Sequence, residues 1–388
     1  MIAIQTAIAV GVLCNAIFVI QQRASFSARP SGAAEKDVFV IGYQLATKSD
    51  DVFANLREDL SVLRALPGVV DAAVSDTYPL SNNGSTGGIR LSSEQSNQSA
   101  GAAIYYGDDH LTSSLGLQLV SGRGFESREV GFRKPGEQNS PSAVIVTQAL
   151  AQKLFGDKNA VGQFVYVDQR GAPVPIVGIV KLLQVPWTTP GGWGAAYDRT
   201  FILPLIYASN IGYFVVKAKP GELKDVMHRA ERALLERSNS RVIRQPVSLS
   251  DARADAYRSD RGLAILLTYI NFSLLAVTGG GFFALASYWV SQRRREIGIR
   301  RALGATRRTI LFSFQVEGLL LALAGSGIGI VLAIALSDLL KMRFEVTTVP
   351  TGHLLLAVAI VVSIAQGAVL APAIRGAYLP PSLVMRTN

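Results

Sequence analysis

The sequence predicts an α-helical membrane protein with four bilayer-crossing helices and one large α+β domain outside the bilayer. Three observations carry this. Four stretches reach the ~20 apolar residues that a crossing takes. One stands at the N-terminus and three follow residue 260, so about 240 residues lie between the first and the second. Seven arginines crowd into the connection 291–309 against one acid, Glu296. Composition agrees: of 388 residues, 49% are apolar and 17% charged, and the mean hydropathy is +0.29. A soluble chain carries about a quarter charged residues. The net charge of +10 fits nucleic acid, an anionic membrane surface or loops retained on the cytoplasmic side. The clustering of arginines between spans selects the membrane readings and speaks against nucleic acid. A lone cysteine, Cys14, excludes an intrachain disulfide and a multi-cysteine zinc site.

The charge-free spans are residues 2–20, 262–290, 318–337 and 354–374. The first lacks a basic n-region and is longer than a signal-peptide core, so it reads as a retained helix. The arginine loop marks the cytoplasmic side, and Arg375 and Arg386 in the tail agree. Both termini are then inside a bacterial inner membrane and the large domain faces the periplasm. The plan is span one over 1–22, the outer domain over 23–260, stalk and span two over 261–290, and a cytoplasmic loop over 291–309. Span three over 310–340, a short outer loop over 341–353, span four over 354–374 and a tail over 375–388 complete it. The apolar run of span two, 29 residues, measures about 43 Å as a helix against a hydrocarbon core of about 30 Å. The excess, with residues 248–261 free of Pro and Gly, predicts a stalk.

In the outer domain, residues 37–46 read as a strand and 51–65 as a helix, with Val52, Phe53, Leu56, Leu60 and Leu63 at helical spacing. Pro67-Gly68 stops that helix, and 69–80 is a second strand. Residues 212–218, 222–235 and 241–249 repeat strand, helix and strand. Two such units split by an insertion predict a ferredoxin-like subdomain. The insertion, about 112–208, reads as β-rich, with a helix at 147–154 and strands at 163–168, 174–180 and 200–205. Residues 81–101, rich in Ser, Asn and Gly, and residues 187–193 read as loops.

Within the arginine loop, residues 294–305 read RREIGIRRALGA. This segment resembles the most recognisable motif of MacB-like/FtsX-like permeases, the type VII ABC transporters. Pro79-Leu80, the 115–125 stretch LGLQLVSGRGF, 144–162 (VIVTQALAQKLFGDKNAVG) and 176–180 (IVGIV) resemble the periplasmic core domain of MacB-like proteins. The resemblance covers nearly the whole chain. It implies a permease dimer seated on two ATPase subunits. ATP-driven closure of the ATPases would then reshape the periplasmic domains, a process called mechanotransmission. It implies no enzyme activity or cofactor in this chain, ATP and Mg being bound by the partner ATPase. The sequence contains no G-x-x-x-x-G-K-[ST]. Members often have an amphipathic helix before span one, which this sequence lacks. That leaves the ATPase contact on that side open, and the second permease of the dimer is either the same chain or a related one that supplies such a helix.

The motif segment predicts a short helix stopped by Gly304, with Thr306 capping span three. A positive-inside anchor accounts for the arginines but not for Glu296, Ile297, Ile299 and Leu303. A docking helix for the ATPase accounts for all of them. Arg294, Glu296, Arg300 and Arg301 would supply polar contacts, and Ile297, Ile299 and Leu303 packing, while Arg295, Gly298 and Gly304 complete the segment. Glu317 lies about two turns into span three, where pairing with Arg300, Arg301 or Arg308 outweighs proton coupling. Gly279, Gly280 and Gly281 in span two, and Gly325, Gly327 and Gly329 in span three, allow close helix packing. Asp108-Asp109-His110 raises a metal site, but His110, His228 and His353 are far apart and no further ligands gather. No nucleophile–base arrangement emerges, so neither a catalytic nor a metal site is expected.

The expected function is a transport permease that moves a periplasmic substrate by efflux or extraction. A periplasmic adaptor and an outer-membrane channel are the partners that would complete it, with membrane lipid around the spans. The alternative is a non-transport transducer regulating a periplasmic cell-wall hydrolase. Such members usually have a much smaller outer domain. A sensor receptor would need a cytoplasmic signalling domain after a span, and the sequence has none.

Overall fold

A computed structural model describes residues 1–45, 52–95, 97–134, 140–167, 171–188, 196–207, 211–237, 241–344 and 349–378. Contacts divide the chain into two units, Met1–Phe26 with Ser259–Asn388, and Ser27–Arg258. The first element, α1 (Ile2–Ser27), is apolar over most of its length.

The unit Ser27–Arg258 opens with β1 (Val38–Leu45), α2 (Val52–Ala65) and β2 (Val69–Ser75). A long excursion follows: β3 (Ser85–Ile89), β4 (Ala100–Tyr106), α3 (Leu111–Ser114), β5 (Leu119–Gly122), β6 (Gly131–Arg133), β7 (Val144–Thr147), α4 (Gln148–Phe155), β8 (Phe164–Val165), β9 (Val174–Val180), β10 (Thr200–Leu203) and β11 (Leu205–Tyr207). The chain returns as β12 (Ile211–Ala218), α5 (Leu223–Arg237), β13 (Arg241–Ile243), β14 (Val247–Ser248) and α6 (Leu249–Ala256). The first sheet has the antiparallel order β13-β1-β12-β2, with β14 also on β1. The second is mixed, β3-β4-β10-β7-β9-β5, with β8 on β9.

These elements stack in layers. Leu56, Leu60 and Leu63 of α2 and Val226, Ala230 and Leu234 of α5 pack with Phe39, Ile41 and Tyr43 of β1. The other face of β1, Val38 and Val40, joins a core with Tyr105, Ile145 and Ile202 of the second sheet. A strand covered on both faces needs apolar side chains at every position, which is why 38–43 read VFVIGY without alternation. On the far face of the second sheet, Leu150 and Leu154 of α4 pack on Val144, Val146 and Ile176. Within the helical layer, Arg237 Nε donates to the buried Asp59 at 3.0 Å and ties α5 to α2.

Several expectations need correction. The second sheet takes in β3 and β4, so the excursion begins well before residue 112. Residues 81–101 hold β3 and the start of β4, not a loop throughout. The small residues there answer crowding: a Cβ on Gly87 would come within 2.8 Å of Ile104 Cδ1. The strand read over 241–249 is interrupted between β13 and β14, where Pro246 offers no N–H. The strand read over 200–205 breaks at Pro204 for the same reason. Residues 248–261 do not form one helix, because α6 ends at the buried Tyr257. Most of the 187–193 loop lies outside the described residues.

In the other unit, α7 (Arg258–Gln292) is followed by α8 (Arg294–Ala302), α9 (Arg307–Phe344) and α10 (Thr351–Ala377). Among the described residues, α1, α7, α9 and α10 are the four helices long and apolar enough to cross a membrane. Gly325 and Gly329, one turn apart on α9, meet α1. A Cβ on Gly325 would lie 2.6 Å from Thr6 Cβ and 2.8 Å from the Ala3 carbonyl; one on Gly329 would lie 2.7 Å from Val10 Cβ and 2.8 Å from the Ala7 carbonyl. Further along the same seam, Asn15 Nδ2 donates to the Ala333 carbonyl at 3.2 Å. Close approach of two backbones at small residues is the usual basis of association where lipid supplies no hydrophobic drive. Gly279 faces Ile364 of α10 and Gly281 faces Gln5 of α1, whereas Gly280 and Gly327 face open space. Gly325→Ala and Gly329→Ala should each destabilise the detergent-solubilised protein by about 1–3 kcal/mol. Gly327→Ala, which meets no neighbour, should cost nothing and stabilise it by up to about 1 kcal/mol. Thermal unfolding of the three variants checks this, and equal losses in all three would contradict the α1–α9 seam.

Candidate docking site

The connection from α7 to α9 is short and helical. Arg293 alone separates α7 from α8, and its N–H still reaches the Trp289 carbonyl at 3.0 Å. At the other end of α8, Gly304 takes φ +99°, a backbone region that disfavours any side chain. Gly304 N–H donates to Arg301 O at 3.1 Å and Ala305 N–H to Arg300 O at 2.9 Å. This pair of bonds is a Schellman stop. Two residues on, Thr306 Oγ1 accepts from Thr309 N–H at 3.3 Å and caps α9. The expected stop and cap are therefore both formed.

Burial separates the side chains of α8 by face. Ile297 is 5% exposed and packs in a cluster with Val290, Ile310, Phe314, Val369 and Ala373. Gly298 is buried as well. Ile297 therefore seats α8 on its own helix bundle and leaves no packing surface for a partner, a correction to the docking role expected of it. Ile299 and Leu303 are 51% and 82% exposed. With Arg295 they are spaced i, i+4 and i+8, one stripe on the face away from Ile297. Arg294 is exposed and Arg301 half-buried. Glu296 pairs with Arg300 one turn on and lies beside the stripe. The exposed face of α8 is thus an apolar stripe edged by charges, on a helix anchored from behind.

Glu317 of α9 has a different partner from those expected. Arg293 Nη1 donates to Glu317 Oε1 at 2.6 Å. The bend after Gln292 turns Arg293 toward α9, a tertiary effect that residue spacing along the loop does not encode.

In the unit Ser27–Arg258, the Asp108-Asp109-His110 triplet is engaged by neighbours. Arg64 Nη2 donates to Asp108 Oδ2 at 2.9 Å, His110 Nδ1 lies 2.8 Å from Asp71 Oδ1, and Ser127 Oγ donates to Asp109 Oδ2 at 2.5 Å. Burial pushes the Asp108 carboxyl up to about 7, despite the guanidinium of Arg64 beside it. This cluster reads as internal structure that links α2, β2 and α3.

The family description "FtsX-like permease C-terminal" matches residues 269–381, and "MacB-like periplasmic core domain" matches residues 5–233. The chain is 26% identical over 233 residues to the macrolide export ATP-binding/permease protein MacB of Chromobacterium violaceum, covering 57% of this chain and 33% of that protein. It is 27% identical over 263 residues to the pyoverdine export ATP-binding/permease protein PvdT of Pseudomonas syringae pv. tomato, covering 66% and 37%. The chain thus spans about a third of the length of the curated relatives it matches. Among solved structures, the periplasmic region of MacB from Actinobacillus actinomycetemcomitans aligns with TM-score 0.32 and 14% identity, over 57% of this chain and 94% of that one.

The Arg293–Glu317 pair yields a test. Arg293→Glu or Glu317→Arg alone should lower the melting temperature of the purified chain, and the exchanged pair should recover most of the loss. Strictly additive losses would show that the two side chains do not interact.

Proposed function

Because the chain belongs to the MacB-like/FtsX-like permeases of ABC transporters, we propose that α8 is the surface through which an ATPase subunit drives it. The observation that carries this reading is the split of α8 into a buried anchor, Ile297, and an exposed stripe of Arg295, Ile299 and Leu303. An exposed leucine at the C-cap of a nine-residue helix invites a groove on a partner. Glu296, Arg300 and Arg294 supply the polar rim. ATP and Mg belong to that ATPase, outside these 388 residues.

In this reading both termini and α8 are cytoplasmic, and the unit Ser27–Arg258 is periplasmic. Its β1-α2-β2 and β12-α5-β13 halves, with order β13-β1-β12-β2, support a ferredoxin-like subdomain carrying the second sheet as an insertion. Helix α7, at 35 residues about 52 Å long, exceeds the hydrocarbon thickness of about 30 Å and serves as a mechanical lever. Two permeases, identical or related, assemble with two ATPase subunits, and hydrolysis reshapes the periplasmic domains. The relatives' names, macrolide export and pyoverdine export, support efflux of a periplasmic substrate, with an adaptor and an outer-membrane channel as further partners.

Ile299→Asp combined with Leu303→Asp should abolish copurification of the ATPase and lower permease-stimulated ATP hydrolysis at least about tenfold, the scale of a lost interface anchor. The melting temperature of the permease should stay unchanged, because both side chains are exposed. An intact complex with full stimulation would remove α8 from the ATPase interface.

A further inference from the structure

Where the first turns of α9 meet the last turn of α10, the surface opens into a cleft of about 760 Å³. Its lining divides by chemistry. Arg307, Arg308 and Thr309, in the first turn of α9, are its polar lining, Leu311, Phe312, Ile374 and Ala377 its apolar lining, and Tyr378 completes it. The Arg307 guanidinium carbon lies 4.3 Å from the centre of the Tyr378 ring, within cation–π range. Among the described residues, no carboxylate forms an ion pair with Arg307 or Arg308, and none lines the cleft. Phe312, Ile374 and Tyr378 are 68%, 39% and 60% exposed. Adjacent cations at the end of a membrane-length helix, above an apolar wall, match the two ends of one kind of molecule.

We propose that this cleft is a binding site for one anionic phospholipid of the inner leaflet. The phosphodiester sits between Arg307 and Arg308, and an acyl chain lies along Leu311, Phe312 and Ile374. Guanidinium groups match phosphate oxygens through paired N–H donors, and basic side chains at the headgroup level attract anionic lipid. A zwitterionic lipid carries its own cation into the same basic site and is disfavoured. The cleft lies on a different pair of helices from the exposed stripe of α8. The inference rests on the reading that α9 and α10 cross the bilayer. Extraction checks that reading separately: a crossing chain resists alkaline carbonate and yields to detergent.

The test uses the full chain in detergent, with phosphatidylglycerol or phosphatidylcholine titrated and bound lipid counted by native mass spectrometry. Phosphatidylglycerol should bind at least about tenfold more tightly. Arg307→Gln with Arg308→Gln should remove that preference, and Arg307→Lys with Arg308→Lys should retain much of it. Lys224→Gln with Arg232→Gln, which removes the same charge from exposed positions on α5, should leave it intact. Equal binding of the two lipids, or a preference that survives the Gln pair, overturns the site. Displacement of phosphatidylglycerol by millimolar inorganic phosphate alone would assign the arginines to a free anion and likewise overturn it.

Discussion

The insertion of Ile297 between Val290, Ile310 and Phe314 is the contact on which the reading of this molecule depends. Without it, α8 would be a loose, arginine-rich tether between two membrane helices. With it, a nine-residue helix too short to be stable alone is held against the start of α9 and the end of α7. The Schellman stop at Gly304 and the Thr306 cap then fix where α8 ends and α9 begins. Side chains on the opposite face, Arg295, Ile299 and Leu303, are held outward as a consequence.

The same logic of close contact governs the two units separately. In the membrane unit, α1 is held by backbone approach at Gly325 and Gly329 and by Asn15 on the Ala333 carbonyl, with little bulk at the seam. In the unit Ser27–Arg258, β1 is covered on both faces, by helices on one side and the second sheet on the other. A central strand packed in this way resists local deformation.

Much of this architecture could be read from residue order where the determinants are local. The charge-free spans, the run VFVIGY, the leucine spacing of α2 and the strand 174–180 all carry their own signal. Gly304 and Thr306 were legible because stops and caps involve neighbours in sequence. The strands within 81–101 were not, since glycine and serine chosen for tight packing look like those chosen for a loop. The inward turn of Ile297 and the partner of Glu317 depend on how α9 approaches α8, which no single stretch of sequence states. A helical wheel of 294–303 does place Ile297 opposite Ile299 and Leu303, but only the fold says which side is covered.

The most direct measurement is site-specific photocrosslinking of the full chain in membranes with its ATPase present. The photoreactive residue would replace Leu303 in one sample and Phe312 in another. The account predicts a covalent adduct with the ATPase subunit from position 303 and adducts with lipid alone from position 312. If position 303 yields no ATPase adduct while the two proteins still copurify, the exposed face of α8 is not the coupling surface and the central claim is contradicted.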